Sequence, residues 1–113
     1  MKTFQIEREE EDDSLTLRLI GDIDTCTFST WELALAAAVE AKPLFLTIDC
    51  RRLNSINSTA LGLLMAGVRQ IRQQGGRVNI HNLSPALTRI FNQLGFSRLT
   101  DDDGEALAGA ARS

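Results

Sequence analysis

The period of the hydrophobic positions changes several times along this chain, and each change marks an element. Phe4 and Ile6 alternate with Gln5 and Glu7; after the acidic run Glu9 to Asp13, Leu15, Leu17 and Leu19 alternate with Thr16 and Arg18. A period of two predicts two strands joined by a solvated acidic turn. Gly21-Asp22-Ile23-Asp24 breaks the alternation. Thr25 or Thr27 can then cap a helix in which Phe28, Trp31, Leu35, Ala38 and Val39 share one face. Pro43 ends that helix. Leu44-Phe45-Leu46-Thr47-Ile48 follows as a short apolar run, the mark of a central strand covered on at least one face, with both expected.

A nine-residue loop, Asp49 to Asn57, is expected next, delivering Ser58 to a helix start. Leu61, Leu64, Met65, Val68 and Ile71 form an i, i+3, i+4, i+7 stripe that stops at Gly75-Gly76. Arg77 to His81 reads as a strand through Val78 and Ile80. Ser84-Pro85 is an N-cap followed by a first-turn proline, opening a helix with Ala86, Leu87, Ile90, Phe91 and Leu94 inward. Gly95 stops it, Phe96 to Leu99 is a last short strand, and Asp101 to Asp103 start a C-terminal helix through Ala111. The order β-β-α-β-α-β-α-β-α predicts an α/β sandwich, a mixed sheet of four to five strands packed with about four helices. At 113 residues the chain is expected to be a single domain, 1–113.

Charge alters this picture by its distribution. Residues 1–49 carry four Lys/Arg against eleven Asp/Glu, residues 50–100 carry seven Arg and no acid, and the tail from Asp101 carries four acids and Arg112. Such segregation either aims polar faces at partners or pairs the acidic and basic segments across the fold. Seven arginines in one half invite a nucleic-acid reading, but the net charge is −3 and the basic stretch lacks interleaved aromatics or a reader motif, so direct nucleic-acid binding is not expected. No apolar run approaches the roughly 18 residues of a membrane span and the charged start is no signal peptide, so no membrane insertion and a cytoplasmic location are expected. Cys26 and Cys50, without metal or C-x-x-C spacing, read as reduced, partly buried thiols. Without secretion, the Asn57-Ser58-Thr59 and Asn82-Leu83-Ser84 glycosylation sequons carry no meaning.

Catalytic chemistry is sparse. There is no Walker motif, no G-x-G-x-x-G and no G-x-S-x-G. Ser58 as a nucleophile would need a base, and His81 is the one histidine, with no third member. Asp22, Asp24 and Asp49 read as turn and cap residues ahead of a divalent-metal cluster. No enzyme activity, metal or cofactor is expected. A hydroxyl at position 58 lies among free backbone N–H groups at the positive end of a helix dipole, so Ser58 suits a cap, a phosphate acceptor, or both.

Taken in order, several segments resemble the STAS domain family, and among its members the free-standing bacterial anti-sigma factor antagonists. These are Gly21-Asp22-Ile23-Asp24 after the second strand, the Asp49 to Leu53 stretch, Ser58-Thr59-x-Leu61-Gly62, Gly75-Gly76, Leu83-Ser84-Pro85-Ala86, Phe91 and Gly95-Phe96. The resemblance implies a protein-binding switch. The serine of a typical Asp-Ser-Ser/Thr-Gly-Leu-Gly phosphosite, here Ser58, is phosphorylated by a kinase that doubles as anti-sigma factor. The unphosphorylated antagonist binds that kinase and frees the sigma factor, and a phosphatase resets the phosphorylated form. It also implies that Asp22, Asp24, Asn57, Ser58, Thr59, Ala60 and Leu61 form the partner-binding surface. Asn57 stands where the family usually has Asp, and Ala60 where it usually has Gly, adding a methyl where a partner would approach. Arg51 and Arg52 are candidates to hold the phosphate. Two other roles compatible with the resemblance are a constitutive accessory subunit of a lipid-transport ATPase and a scaffold protomer of a signalling assembly.

Overall fold

The first two strands form because their leucines recur every second residue. In the computed structural model, which describes residues 3–95, β1 (Phe4–Glu11) and β2 (Ser14–Ile23) pair antiparallel across the turn at Asp12-Asp13. Asp12 takes φ 54, a left-handed conformation that Asp tolerates better than most residues. Gly21 (φ 104) lets the start of β1 close on the end of β2: a Cβ there would stand 2.1 Å from the Thr3 carbonyl oxygen, which also accepts the Asp22 N–H.

Strand β3 (Phe45–Ile56) pairs parallel with β2, and β4 (Arg77–His81) pairs parallel with β3, giving the order β1-β2-β3-β4. Helix α1 (Phe28–Glu40) crosses from β2 to β3, and α2 (Ser58–Gln73) from β3 to β4; α3 (Pro85–Gln93) follows. Leu15, Leu17, Leu19, Leu46, Ile48, Cys50 and Val78 of the strands meet Trp31, Leu35, Ala38, Leu61, Leu64, Val68, Ile71, Leu87 and Phe91 of the helices in one core.

Four expectations change. The nine-residue loop before Ser58 is strand: β3 runs on to Ile56. Two register shifts against β2, each adding one residue to β3, break its alternation and space the buried residues Cys50, Leu53 and Ile56 three apart. The sheet, among the described residues, buries one face: Thr16, Arg18, Thr47 and Asp49 alternate with the core residues and stay partly exposed, and Phe45 is 48 % exposed. Thr27 occupies the N-cap position of α1 without a side-chain cap bond, because its hydroxyl is engaged by the turn before it. Ala86 and Leu94 of the third helical segment face solvent, so its buried face narrows to Leu87 and Phe91 with Ile90 partly covered. Ser84 caps α3 as expected, accepting the Leu87 N–H at 3.1 Å. The Phe96–Leu99 strand and the helix from Asp101 fall outside the described residues. The described part is thus a mixed four-stranded sheet with three helices.

Candidate functional site

Parallel strands joined by crossover helices bring successive helix starts to one end of a sheet. Here the C-terminal ends of β2 and β3 lie side by side, with Asp22 opposite Ser55 and Ile23 opposite Ile56. The chain leaves both strands there to begin α1 and α2. The Asn57 N–H donates to the Ile23 carbonyl at 3.0 Å, so the first residue before α2 is tied to the last residue of β2.

Asn57, not Ser58, is the N-cap of α2. Its backbone is extended (φ −85, ψ 168), and its Oδ1 accepts the Ala60 N–H at 2.8 Å. Ser58 is therefore the first helical residue and is exposed, as is Thr59. Among the described residues the Ser58 hydroxyl has no hydrogen-bond partner, and the Ser58 and Thr59 N–H groups are likewise without a protein acceptor. No acidic residue lies in the first turn, so the positive end of the helix dipole is uncompensated beside a free hydroxyl.

The end of β3 and the turn before α1 are held by side chains of the Gly-Asp-Ile-Asp segment. Asp22 Oδ1 accepts from Ser55 Oγ at 2.6 Å and from Asn54 Nδ2 at 3.0 Å, fixing the end of β3. Asp24 Oδ1 accepts the N–H groups of Cys26 (2.9 Å) and Thr27 (3.1 Å), while Thr27 Oγ1 accepts the Asp24 N–H and donates to the Asp22 carbonyl. Both carboxylates are thus turn builders, and the described residues contain no group of acids, histidines or cysteines arranged to hold a metal ion. Asp49 lies elsewhere, on the uncovered sheet face opposite Arg18. Burial alone would raise its pKa, but hydrogen bonds from Asn82 Nδ2 and the Arg51 N–H, with the Arg18 charge nearby, hold it below the usual carboxylate range.

Ala60 and Leu61 are wholly buried, so the methyl of Ala60 enters the core and does not meet an approaching partner. The Ala60 carbonyl accepts the Trp31 Nε1–H at 3.0 Å, pinning the first turn of α2 to α1. Arg51 and Arg52 are also displaced from their expected role. Arg52 pairs with Ile20, three β2 residues and roughly 10 Å before the strand end at about 3.3 Å per residue, and Arg51 and Arg52 line a hollow with Arg18, Leu19 and Asp49 and not with Ser58. His81, level with Asp49 in the sheet, is roughly 20 Å from Ser58 by the same geometry, which excludes a Ser58–His81 pair.

Sequence reasoning missed Asn54, Ser55, Thr27 and Trp31 as the residues that hold the site. Asn54 and Ser55 lay in the presumed loop. The Trp31 N–H, on a core residue, finds its acceptor 29 positions away, a pairing no local pattern encodes. Cys26 is exposed in the same turn, and Cys50 is buried, with burial pushing its thiol up to about 12.

Residues 6–101 match the family model described as Mlab, STAS domain. Over 94 residues, 83 % of this chain and 82 % of the relative, the sequence is 26 % identical to the anti-sigma-B factor antagonist of Listeria monocytogenes. The fold is similar to that of an anti-sigma factor antagonist from Mycobacterium paratuberculosis, with a TM-score of 0.78 at 24 % identity over 92 % of this chain and 93 % of that one. It is also similar to SpoIIAA of Bacillus, solved unphosphorylated (TM-score 0.71, 21 % identity, 95 % and 97 % covered) and phosphorylated (0.66, 21 %, 87 % and 88 %). With the family model spanning most of its length, the chain belongs to the STAS domain family.

Proposed function

We propose that this protein is an anti-sigma factor antagonist, a binding module switched by phosphorylation of Ser58. One observation carries the reading: Asn57 caps α2, which leaves the adjacent Ser58 hydroxyl exposed and unengaged at a helix N-terminus. The similarity to proteins named anti-sigma factor antagonists, one of them solved in both phosphorylation states, supports it. In this reading the partner is an anti-sigma factor with serine-kinase activity, and a phosphatase restores the hydroxyl. Asp22, Asp24, Asn57, Ser58 and Thr59 shape the partner surface, while buried Ala60 and Leu61 set the position of the helix that presents it.

The energetics favour a switch at the surface over one in the fold. A phosphoserine carries about −1.5 to −2 charges, and the α2 dipole with two open N–H groups stabilises it by about 0.3–1 kcal/mol. The domain therefore stays folded, and the added charge and bulk act on the partner by repulsion and lost packing. Capture from extract of the native cells with wild type, Ser58→Ala and Ser58→Asp baits tests this. An anti-sigma factor kinase is expected with wild type and Ser58→Ala and lost with Ser58→Asp, and the recovered kinase should phosphorylate wild type but not Ser58→Ala. Equal recovery of a transporter ATPase or of sister STAS proteins by all three baits would replace the switch with a constitutive subunit.

A further inference from the structure

The first of the two bulges in β3 gathers arginines on the uncovered side of the sheet. Between the pairs Arg18–Asp49 and Ile20–Arg52, Cys50 and Arg51 stand against Leu19 alone. Strict alternation would send one of two consecutive side chains into the core; with the extra residue, Arg51 and Arg52 are both exposed. Together with Arg18, Leu19 and Asp49 they line a hollow of about 150 Å3. The charges around it are unequally engaged. Arg18 donates to Glu9 Oε1 at 2.7 Å. Asp49 uses one oxygen, Oδ1, to accept the Arg51 N–H (3.0 Å) and Asn82 Nδ2 (2.9 Å), bonds that help to keep it ionised. Among the described residues, the Arg51 and Arg52 guanidinium groups have no ion-pair partner, and Asp49 Oδ2 accepts no hydrogen bond. Glu7 and His81 stand in register with Arg18 and Asp49 at the rim.

We infer that this hollow binds one inorganic phosphate as hydrogen phosphate, with Arg51 and Arg52 donating to its anionic oxygens and Asp49 Oδ2 accepting from its P–OH group. A guanidinium offers donors and no acceptor, and its bonds to phosphate oxygens are among the stronger ones a side chain makes. Guanidinium groups around one hollow repel each other, and an anion between them relieves that repulsion. Asp49 decides which anion. An ionised carboxylate only accepts, so it opposes a fully deprotonated anion and gains a bond from one that still carries a proton. Inorganic phosphate keeps a proton at neutral pH; sulfate does not, and a phosphate monoester has lost most of its own. An extended polyanion fits this face poorly, because Glu7, Glu9 and Glu11 stand at its β1 side. Exposure of the two arginines limits the affinity to a Kd on the order of 1 mM. The hollow lies before the strand ends and Ser58 beyond them, so a bound phosphate leaves the Ser58 hydroxyl accessible.

Amide chemical-shift titrations of the full chain with inorganic phosphate, sulfate and methyl phosphate, at neutral pH and matched ionic strength, test the assignment. In wild type, phosphate should give one saturating curve centred on residues 49–52. Sulfate and methyl phosphate should bind about tenfold more weakly, for want of the bond to Asp49. Arg51→Gln/Arg52→Gln keeps both side chains polar and removes their charge, and should weaken phosphate about tenfold. Asp49→Asn should bring sulfate up to the affinity of phosphate. A reversed preference between two anions of similar size and shape separates recognition from lost folding, which would weaken both alike. The absence of a saturable phosphate shift, equal affinity for the three anions in wild type, an arginine double variant that binds as wild type does, or an Asp49→Asn protein that still prefers phosphate would overturn the proposal. So would tighter binding of polyglutamate than of phosphate, which would give the face to an extended acidic partner.

Discussion

A side-chain oxygen at a helix start can accept from the backbone or stand free for a partner, and residues 57 and 58 divide these tasks. Asn57 takes the cap, accepting the Ala60 N–H, and Ser58 is released from it. Asn57→Ala should therefore cost about 1 kcal/mol, lowering Tm by about 4–8 °C. Asn57→Asp keeps the acceptor and adds a negative charge at the dipole's positive end, so it should hold or raise stability by about 0.3–1 kcal/mol. Urea denaturation of the three proteins at neutral pH measures both. An Asn57→Ala protein as stable as wild type would mean that Ser58 or Thr59 can take over the cap. The site's serine was legible in the sequence, since a hydroxyl before an amphipathic stripe marks a helix start; which of three neighbouring polar residues caps was not, because Asn, Ser and Thr all suit the position.

Among elements, the decisive contact is that between α1 and the first turn of α2. Trp31 is fully buried and its Nε1–H reaches the Ala60 carbonyl. Near the middle of α2, Gly67 lets the side chain of Leu35 approach to about 3 Å of where a Cβ would be. Trp31→Phe removes the hydrogen bond and part of a buried ring, and should cost about 1–3 kcal/mol. Its local signature should be faster amide exchange in the first turn of α2 than in α3, which Trp31 does not hold. The helical stripes of α1 and α2 were readable from periodicity. Strand β3 was readable only to Ile48, because its two bulges replace a period of two with spacings of three, and Arg51-Arg52 and Asn54-Ser55 then look like loop.

At the level of the molecule, two ion pairs among the described residues, Arg8–Glu10 and Arg18–Glu9, join residues of the acidic N-terminal half to one another. The β1-β2-β3-β4 order sets Glu7, Glu9 and Glu11 at the β1 side of the sheet and Arg77 at the β4 side. Titration of the whole fold is equally topological. Cys50 is buried against the helices, and burial raises its pKa to about 12 from the ordinary thiol value of 9.0. A raised folded-state value means that this contribution to stability is complete below pH 9 and is lost as the pH rises toward 12. The chain has no Tyr, and Lys2 and Lys42 are its lysines, so few other side chains titrate in that window. Unfolding free energy followed from neutral pH into that window should fall for wild type and fall less for Cys50→Ala. Equal slopes would show that Cys50 ionises without penalty.

The alternating leucines, the helical stripes, the cap at Ser84 and the glycine at position 21 are local matters of period and backbone freedom, and the sequence by itself determined them. Folding decided the rest. Burial of Ala60 and Leu61, the distance of Arg51 and Arg52 from Ser58, the Trp31–Ala60 bond and the one-sided sheet all depend on which strands pair and in what register. That information resides in contacts between residues some thirty positions apart, where the energy of one pairing over another comes from a shared core and not from any neighbouring side chain.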